Sequence, residues 1–248
     1  MFEIFKVLKN AYVFVEGIGE ILNDAVKSFT ESFNEWKEKE KIRITEMAKI
    51  GWYPNWATFS FIPEEDAHKT YDEFMIQRID ENFDDIVEKI LNFCINRKDI
   101  LENAFNLYKA ENYTACIPLF IIQADGICNE NENLSYFFTT RTGTKGEKKA
   151  PAKASEKYDK EKYDFFSKTV LELFEMHVGK KAYELPLTVN IDSEKKNELN
   201  RHGILHGDEN YLDYGSKINA YKAFSFLAFI VFSAKDLLQK ENGQTELK

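Results

Sequence analysis

Proline and glycine are scarce in this chain of 248 residues, which contains five prolines and eleven glycines. Both residue types favour turns and interrupt helices, so their scarcity argues against a β architecture built on many tight turns. The composition is 44% hydrophobic and 15% aromatic, which excludes an intrinsically disordered chain. Because lysine, glutamate, leucine, isoleucine and phenylalanine are abundant, the composition favours helices over a turn-rich β architecture.

Cysteine is also rare, and long apolar runs are missing. Cys94, Cys116 and Cys128 lie in apolar surroundings without CxxC spacing, so we expect buried free thiols in a reducing compartment. The longest apolar run, residues 223–234, has about twelve residues, whereas a membrane-spanning helix needs roughly twenty. Charged residues interrupt the apolar N-terminus before the core of a signal peptide can form. We therefore predict a cytoplasmic protein that has no membrane partner.

Arginine is rare as well, since only five of the 33 basic residues are arginines, and the formal net charge is −9. This charge argues against broad coating of nucleic acid, so an RNA contact would need a local basic patch. Residues 141–154, RTGTKGEKKAPAKA, carry five basic residues against one acidic residue. We expect the segment to be poorly ordered without a ligand. It is either a solvated linker, which we prefer, or a mobile arm that follows a phosphate backbone. In the second case its RNA-binding residues are Arg141, Lys145, Lys148 and Lys149.

Apolar residues recur at helical spacing along most of the chain. They predict helices over the first fifty residues up to Gly51, and over 68–96, 100–109, 113–127, 160–177 and 217–240. The aromatic stretch GWYPNWATFSFIPEED, residues 51–66, contains two prolines and cannot form a long helix. Its rings either cap the core, which we prefer, or form a stacking platform for a nucleobase. We divide the chain into an N-terminal helical region, 1–98, and a helical domain, 99–248, which may also be read as one continuous domain.

Two of the four histidines lie beside one of the five arginines in the motif RHGILH, residues 201–206. Histidine can remove or deliver a proton near neutral pH, and arginine can grip two phosphate oxygens while it remains charged. Lysine lacks this planar fork, which explains why a lysine-rich chain uses arginine here. The motif therefore offers groups for proton transfer and a cation that can bind a phosphate.

We expect the motif to lie in a helix whose N-cap is Asp192 or Ser193. On an ideal helix His202 and His206 share a face, whereas Arg201 and His206 point about 140° apart. A single copy of the motif therefore need not direct its arginine and its second histidine at the same phosphate.

The motif has the form R-(N/H/D)-x-x-x-H and resembles the signature of the HEPN superfamily. The flanking stretches IPLFIIQADGI and YGSKINAYKAF resemble the abortive-infection and Apea-like branches of that superfamily. The resemblance covers roughly residues 100–238. It implies an all-α, HEPN-like helical bundle, here with an N-terminal helical extension.

The resemblance also implies a function, because many HEPN proteins are metal-independent ribonucleases of toxin–antitoxin, abortive-infection and CRISPR-linked systems. Arg201 and His206 would be catalytic, at a cleft that two identical protomers form together. His202 would orient the site, and Asp125 would hold His206 or Arg201 in position. RNA is then the substrate, no cofactor or metal is needed, and an antitoxin or another defence-system protein is a further expected partner.

Three other interpretations of the motif stay open. Arg201 could be an ordinary ion-pair partner of an acid such as Glu198, while His206 ends a helix before Gly207. His202 and His206 also have the spacing of a zinc-binding pair, to which Asp208 or Asp213 could add an oxygen ligand, although the glutamate of an HExxH motif is missing. Finally, the chain could be a catalytically silent helical module that dimerises or binds a nucleotide or protein partner.

Overall fold

The computed structural model describes residues 20–58, 70–130, 165–175 and 199–241, together with positions 134 and 187. Within these residues it contains helices and no strand, which confirms the predicted all-α fold. The α-helices are α1 (Glu20–Lys49), α2 (Tyr71–Phe93), α3 (Lys98–Lys109), α4 (Tyr113–Glu130), α5 (Phe165–Glu175), α6 (Arg201–His206) and α7 (Lys217–Glu241). Two 3₁₀ turns, Ile95–Arg97 and Glu209–Tyr211, precede α3 and follow α6.

The chain forms two compact units, residues 1–43 and residues 44–248, and the boundary between them falls within α1. In the first unit, the described residues belong to α1, where Phe33 stacks on Trp36 with ring centroids 5.3 Å apart. Residues 44–98 belong to the second unit together with the chain that follows them. The division after residue 98 stays a prediction.

Helix α2 begins with a capping box. The Thr70 side chain accepts from the Glu73 N–H, while the Glu73 carboxylate accepts from the Thr70 N–H at 3.0 Å. Five apolar residues of α2 lie on one helical face and are buried: Phe74, Met75, Ile79, Ile86 and Ile90. The local sequence therefore fixes both the start of the helix and the face that it buries.

Helices α4 and α7 form the centre of the second unit and make its most extensive contact between helices. Both begin at the same end of the unit, because the Tyr214 hydroxyl just before α7 donates to the carbonyl of Thr114 in α4 at 2.8 Å. The longest apolar run, residues 223–234, lies in α7, where positions 223–231 are all buried. This continuous burial explains why the run shows no polar face.

An aromatic cluster joins α7 to the other helices of the core. The ring of Phe224 lies 5.0 Å from that of Phe83 in α2, and 5.9 Å from those of Phe105 in α3 and Phe120 in α4. These centroid distances lie in the range of favourable aromatic pairs. One side chain of α7 thus contacts α2, α3 and α4, and it helps to fix the position of α4, which carries Asp125.

The described part of the aromatic segment, residues 51–58, packs on the core, in agreement with the preferred interpretation. Trp52 and Tyr53 are 0% exposed, and the Tyr53 ring lies 4.6 Å from that of Phe226. The indole N–H of Trp52 donates to Asp72 at 2.7 Å, which satisfies its polar atom. The alternative of a nucleobase platform is wrong for these two rings, because a buried ring has no face left for a base.

The three cysteines are buried free thiols, as predicted. Burial raises the pKa of Cys94 to about 11 and that of Cys116 to about 12. In the part of the chain that is described, no helix combines the length and apolar character needed to cross a bilayer. The basic segment 141–154, with Arg141, Lys145, Lys148 and Lys149, lies outside the described residues.

Candidate functional site

Helix α6 contains the whole RHGILH motif and nothing else. The Asn200 side chain caps it by accepting from the Gly203 N–H at 2.9 Å. The prediction of Asp192 or Ser193 as N-cap is therefore wrong. The backbone before the helix is extended, with φ −105° and ψ 114° at Asn200, so the helix cannot begin earlier.

The other end of α6 is equally well defined. Gly207 has φ 66°, in the left-handed region that favours glycine, and the Asp208 N–H donates to the Gly203 carbonyl at 2.9 Å. The ring of Tyr211 packs against Gly203, where an added Cβ would lie 2.2 Å from a ring carbon. Gly207 is thus needed to end this short helix, and Gly203 is needed for its close packing against Tyr211 in the following turn.

Arg201 is directed toward α4. Its Nη1 donates to Oδ2 of Asp125 at 3.2 Å, and the two side chains are 16% and 30% exposed. Asp125 also accepts from the side chain of Asn129 at 3.1 Å. Burial lowers the pKa of the Arg201 guanidinium from its usual value, while the negative charge of Asp125 opposes this change. Asp125 is expected to hold either His206 or Arg201, and in the structure it contacts Arg201.

The two histidines of the motif contact each other, as their spacing predicts. Their ring centroids are 4.2 Å apart and the planes are tilted by 41°. His206, the last residue of α6, is exposed, whereas His202 is half-buried. The Nδ1 atom of His202 is buried and has no hydrogen-bond partner among the described residues. His206 is therefore the histidine that solvent and a ligand can reach most easily.

The predicted site residues that the structure describes thus form two groups. Arg201 is grouped with Asp125 on the side of α4, and His202 with His206 toward the end of α6. This separation follows from the angular offset of Arg201 and His206 on a helix.

A metal site does not assemble around the histidine pair in the described part of the chain. No three side chains of His, Cys, Asp or Glu come together there in a group that could hold a metal ion. Asp208, one of the two oxygen ligands considered, instead accepts from the backbone N–H and the side chain of Asn210, both at 2.9 Å. These bonds lower its pKa.

A second arginine, which the sequence did not single out, contacts α4 close to Asp125. Arg97 donates through Nη1 to Gln123 at 2.8 Å and through Nη2 to Glu130 at 2.5 Å. Its guanidinium lies against Gly126, where a Cβ would be 2.7 Å from Nη2. Arginine is scarce in this sequence, and this scarcity draws attention to Arg97 as much as to Arg201. It is the feature of the sequence that could have identified Arg97.

Comparison with known proteins adds no relative to this picture: no family model matches the chain, and no match was found among curated proteins or solved structures. The likeness to HEPN proteins therefore depends on the motif and its flanking stretches.

Proposed function

We propose that this protein is a metal-independent endoribonuclease of the HEPN type, which acts in a bacterial defence or toxin system. The observation that carries the proposal is the arrangement of α6. A short, doubly capped helix presents an exposed His206 in contact with His202, while Arg201 of the same helix is held by Asp125. An ordered cation and an accessible imidazole are the two groups that cleavage by a 2′-hydroxyl needs.

In this proposal His206 transfers the proton. Its imidazole takes the proton from the attacking 2′-hydroxyl, and the resulting imidazolium delivers it to the leaving 5′-oxygen near neutral pH. His202 orients His206 through its ring contact. Arg201 binds the phosphate as negative charge develops on it, and Asp125 keeps the guanidinium in position.

The proposed enzyme is a homodimer with two-fold symmetry. Arg201 contacts α4 whereas His206 is exposed at the end of α6, so one protomer need not direct both at one phosphate. A second copy of α6 facing the first would supply the missing partner of each residue. Sedimentation that detects only monomer at micromolar concentration would contradict this part of the proposal.

The decisive experiment is RNA cleavage in buffer that contains a chelator. We expect products with 2′,3′-cyclic phosphate ends, because the attacking group belongs to the substrate, and no cleavage of DNA or of RNA methylated at the 2′-oxygen. His206→Ala should slow cleavage by about 10²–10⁴-fold. Arg201→Lys should also be severely impaired, because the charge is kept but the bidentate grip is lost.

Controls separate this function from its competitors. Arg78→Lys changes another partly buried arginine, at a side chain that is 21% exposed, and should leave cleavage unchanged. Growth inhibition on expression in bacteria should disappear with His206→Ala. Cleavage that chelation alone abolishes would instead support a metal bound through His202 and His206.

One observation favours a second candidate, the catalytically silent module that dimerises or binds a nucleotide or protein partner. An arginine that is 16% exposed and paired with a carboxylate of a neighbouring helix is also what a purely structural ion pair looks like. A stable dimer that cuts no RNA, and whose effect on growth is unchanged by His206→Ala, would establish this alternative.

A further inference from the structure

Arg97 lies across α4 on the surface of the second unit. It belongs to the 3₁₀ turn before α3. Its guanidinium donates to two side chains that lie more than one turn apart on α4, those of Gln123 and Glu130. The two partners differ in exposure, because Gln123 is 4% exposed whereas the Glu130 side chain is 68% exposed. One side of the guanidinium is therefore anchored in the core, and the other is paired with a carboxylate in solvent.

The same stretch of α4 also contacts Arg201. Asp125, the partner of Arg201, immediately precedes Gly126, against which Arg97 lies. Successive residues of a helix point about 100° apart, so the two guanidinium groups approach α4 on neighbouring faces. Ile122, one turn earlier, falls between these faces and is 46% exposed. The two arginines thus border one accessible strip of α4.

Residue 126 must be small for this arrangement. A Cβ at Gly126 would lie 2.7 and 2.8 Å from the two terminal nitrogens of Arg97, so glycine allows the guanidinium to lie flat on the helix. The bond to Glu130 is an exposed ion pair, and such pairs contribute little to stability. Glu130 accepts from Nη2 alone, and a phosphate oxygen can take its place there at small cost.

We propose that Arg97 binds a second phosphate of a single-stranded RNA whose adjacent backbone is held by Arg201. The strand then crosses α4 between the two arginines, and Glu130 is a competitor that the RNA displaces. This inference rests on the proposed function and deepens it, because it adds a substrate-binding residue outside the RHGILH motif. It requires no change in the chemistry of cleavage.

The test measures binding of a short, fluorescein-labelled, single-stranded 2′-O-methyl RNA by anisotropy at several salt concentrations. Loss of one phosphate contact lowers the slope of log K against log salt by about 0.7 for a single strand. Arg97→Gln should therefore show this smaller slope and bind about 5-fold more weakly at 0.1 M salt, since 10^0.7 is the effect of one contact between 1 M and 0.1 M. Glu130→Gln should bind more tightly than wild type.

Arg78 and Glu81 provide a matched control pair. They form a surface ion pair at 2.9 Å, and the Arg78 side chain is 21% exposed, as is that of Arg97. Arg78→Gln and Glu81→Gln should leave both the affinity and the salt slope unchanged. Combining Glu130→Gln with Arg97→Gln should remove the gain in affinity, because Glu130 acts only by competing for Arg97.

The outcomes separate this inference from the proposed function. The inference would be overturned if Arg97→Gln and Arg78→Gln had equal salt slopes. It would also be overturned if Glu130→Gln still raised the RNA affinity in the absence of Arg97. If Arg97→Gln does not fold, the RNA affinities of Glu130→Gln and Glu81→Gln are compared instead. Equal affinities of these two variants would overturn the inference. Wild-type protein that binds the probe as expected but cuts no RNA would refute the ribonuclease alone, whereas absence of binding would refute both.

Discussion

Arg201 and Asp125 are 76 positions apart in the chain, and their contact joins the motif helix to the core. The motif identified Arg201, and the family resemblance pointed to Asp125 as a supporting acid. Neither could decide whether that acid holds Arg201 or His206, because the choice depends on how α6 is rotated against α4. The caps at Asn200 and Gly207 fix where α6 begins and ends.

At the scale of single residues, this ion pair should contribute measurably to stability. Asp125→Ala removes the carboxylate next to a guanidinium that is largely buried, and we expect the free energy of unfolding to fall by about 2 kcal/mol. Urea denaturation measures the change as a lower midpoint at constant slope. The double variant Asp125→Ala, Arg201→Met should recover part of the loss, because no buried cation remains. Equal stability of Asp125→Ala and wild type would contradict a structural role for the pair.

Arg97 illustrates what a sequence does not reveal about single residues. Rarity of arginine marks five positions equally, and nothing in the local sequence shows that one of them reaches Gly126 on another helix. Arg97 and Gln123 are 26 positions apart, and the chain between them contains α3, the turn after it and the first part of α4. Such contacts follow from helix packing, which periodicity alone does not determine.

At the scale of elements, three helices end in the same way. After α1, α3 and α6 the chain has one residue with positive φ, and the next N–H donates to a carbonyl five residues earlier: Trp52 to Met47, Asn112 to Leu107 and Asp208 to Gly203. Glycine occupies the positive-φ position after α1 and α6, at Gly51 and Gly207. After α3 the residue is Glu111, with φ 58°.

The difference between these ends gives a prediction for stability. Glu111 is exposed and adopts a conformation that costs a residue with a Cβ about 1–2 kcal/mol. Glu111→Gly removes this cost but loses more conformational entropy on folding, so we expect a net gain of about 0.5–1 kcal/mol. Thermal and urea unfolding measure the gain. Glu111→Ala, which removes the charge and keeps the Cβ, should give no such gain, and an equal effect of both changes would refute the conformational explanation.

These helix ends also indicate which boundaries a sequence can predict. Gly51 was recognised as the end of α1 because glycine is the usual residue at such an end. The start of α3 was placed near Ile100, close to the observed Lys98, and its end was placed at Lys109, where it is observed. The N-cap of α6 was missed, because Asp192, Ser193 and Asn200 are all suitable capping residues and only the extended backbone before Arg201 selects the last.

At the scale of the whole molecule, the sequence predicts the fold class but not the arrangement of the helices. Few turn-forming residues and a helical apolar period favour helices, and the HEPN resemblance implies an all-α fold. Long-range packing determines that α4 and α7 begin at the same end of the unit. It also determines that Phe224 contacts three other helices. The candidate site depends on that packing, since Asp125 belongs to α4 and the motif to α6.

The last prediction concerns the assembly that the proposed function requires. If Arg201 of one protomer acts with His206 of its partner, two inactive variants should complement each other. Arg201→Ala and His206→Ala, each inactive alone, are refolded together so that mixed dimers form, and cleavage of RNA is measured. A mixed dimer contains one intact Arg201 and one intact His206 on different chains, so activity should return if they act across the dimer. If both residues act within one chain, no protomer of the mixture is complete and activity stays absent. Mixtures of each variant with itself, treated identically, are the controls.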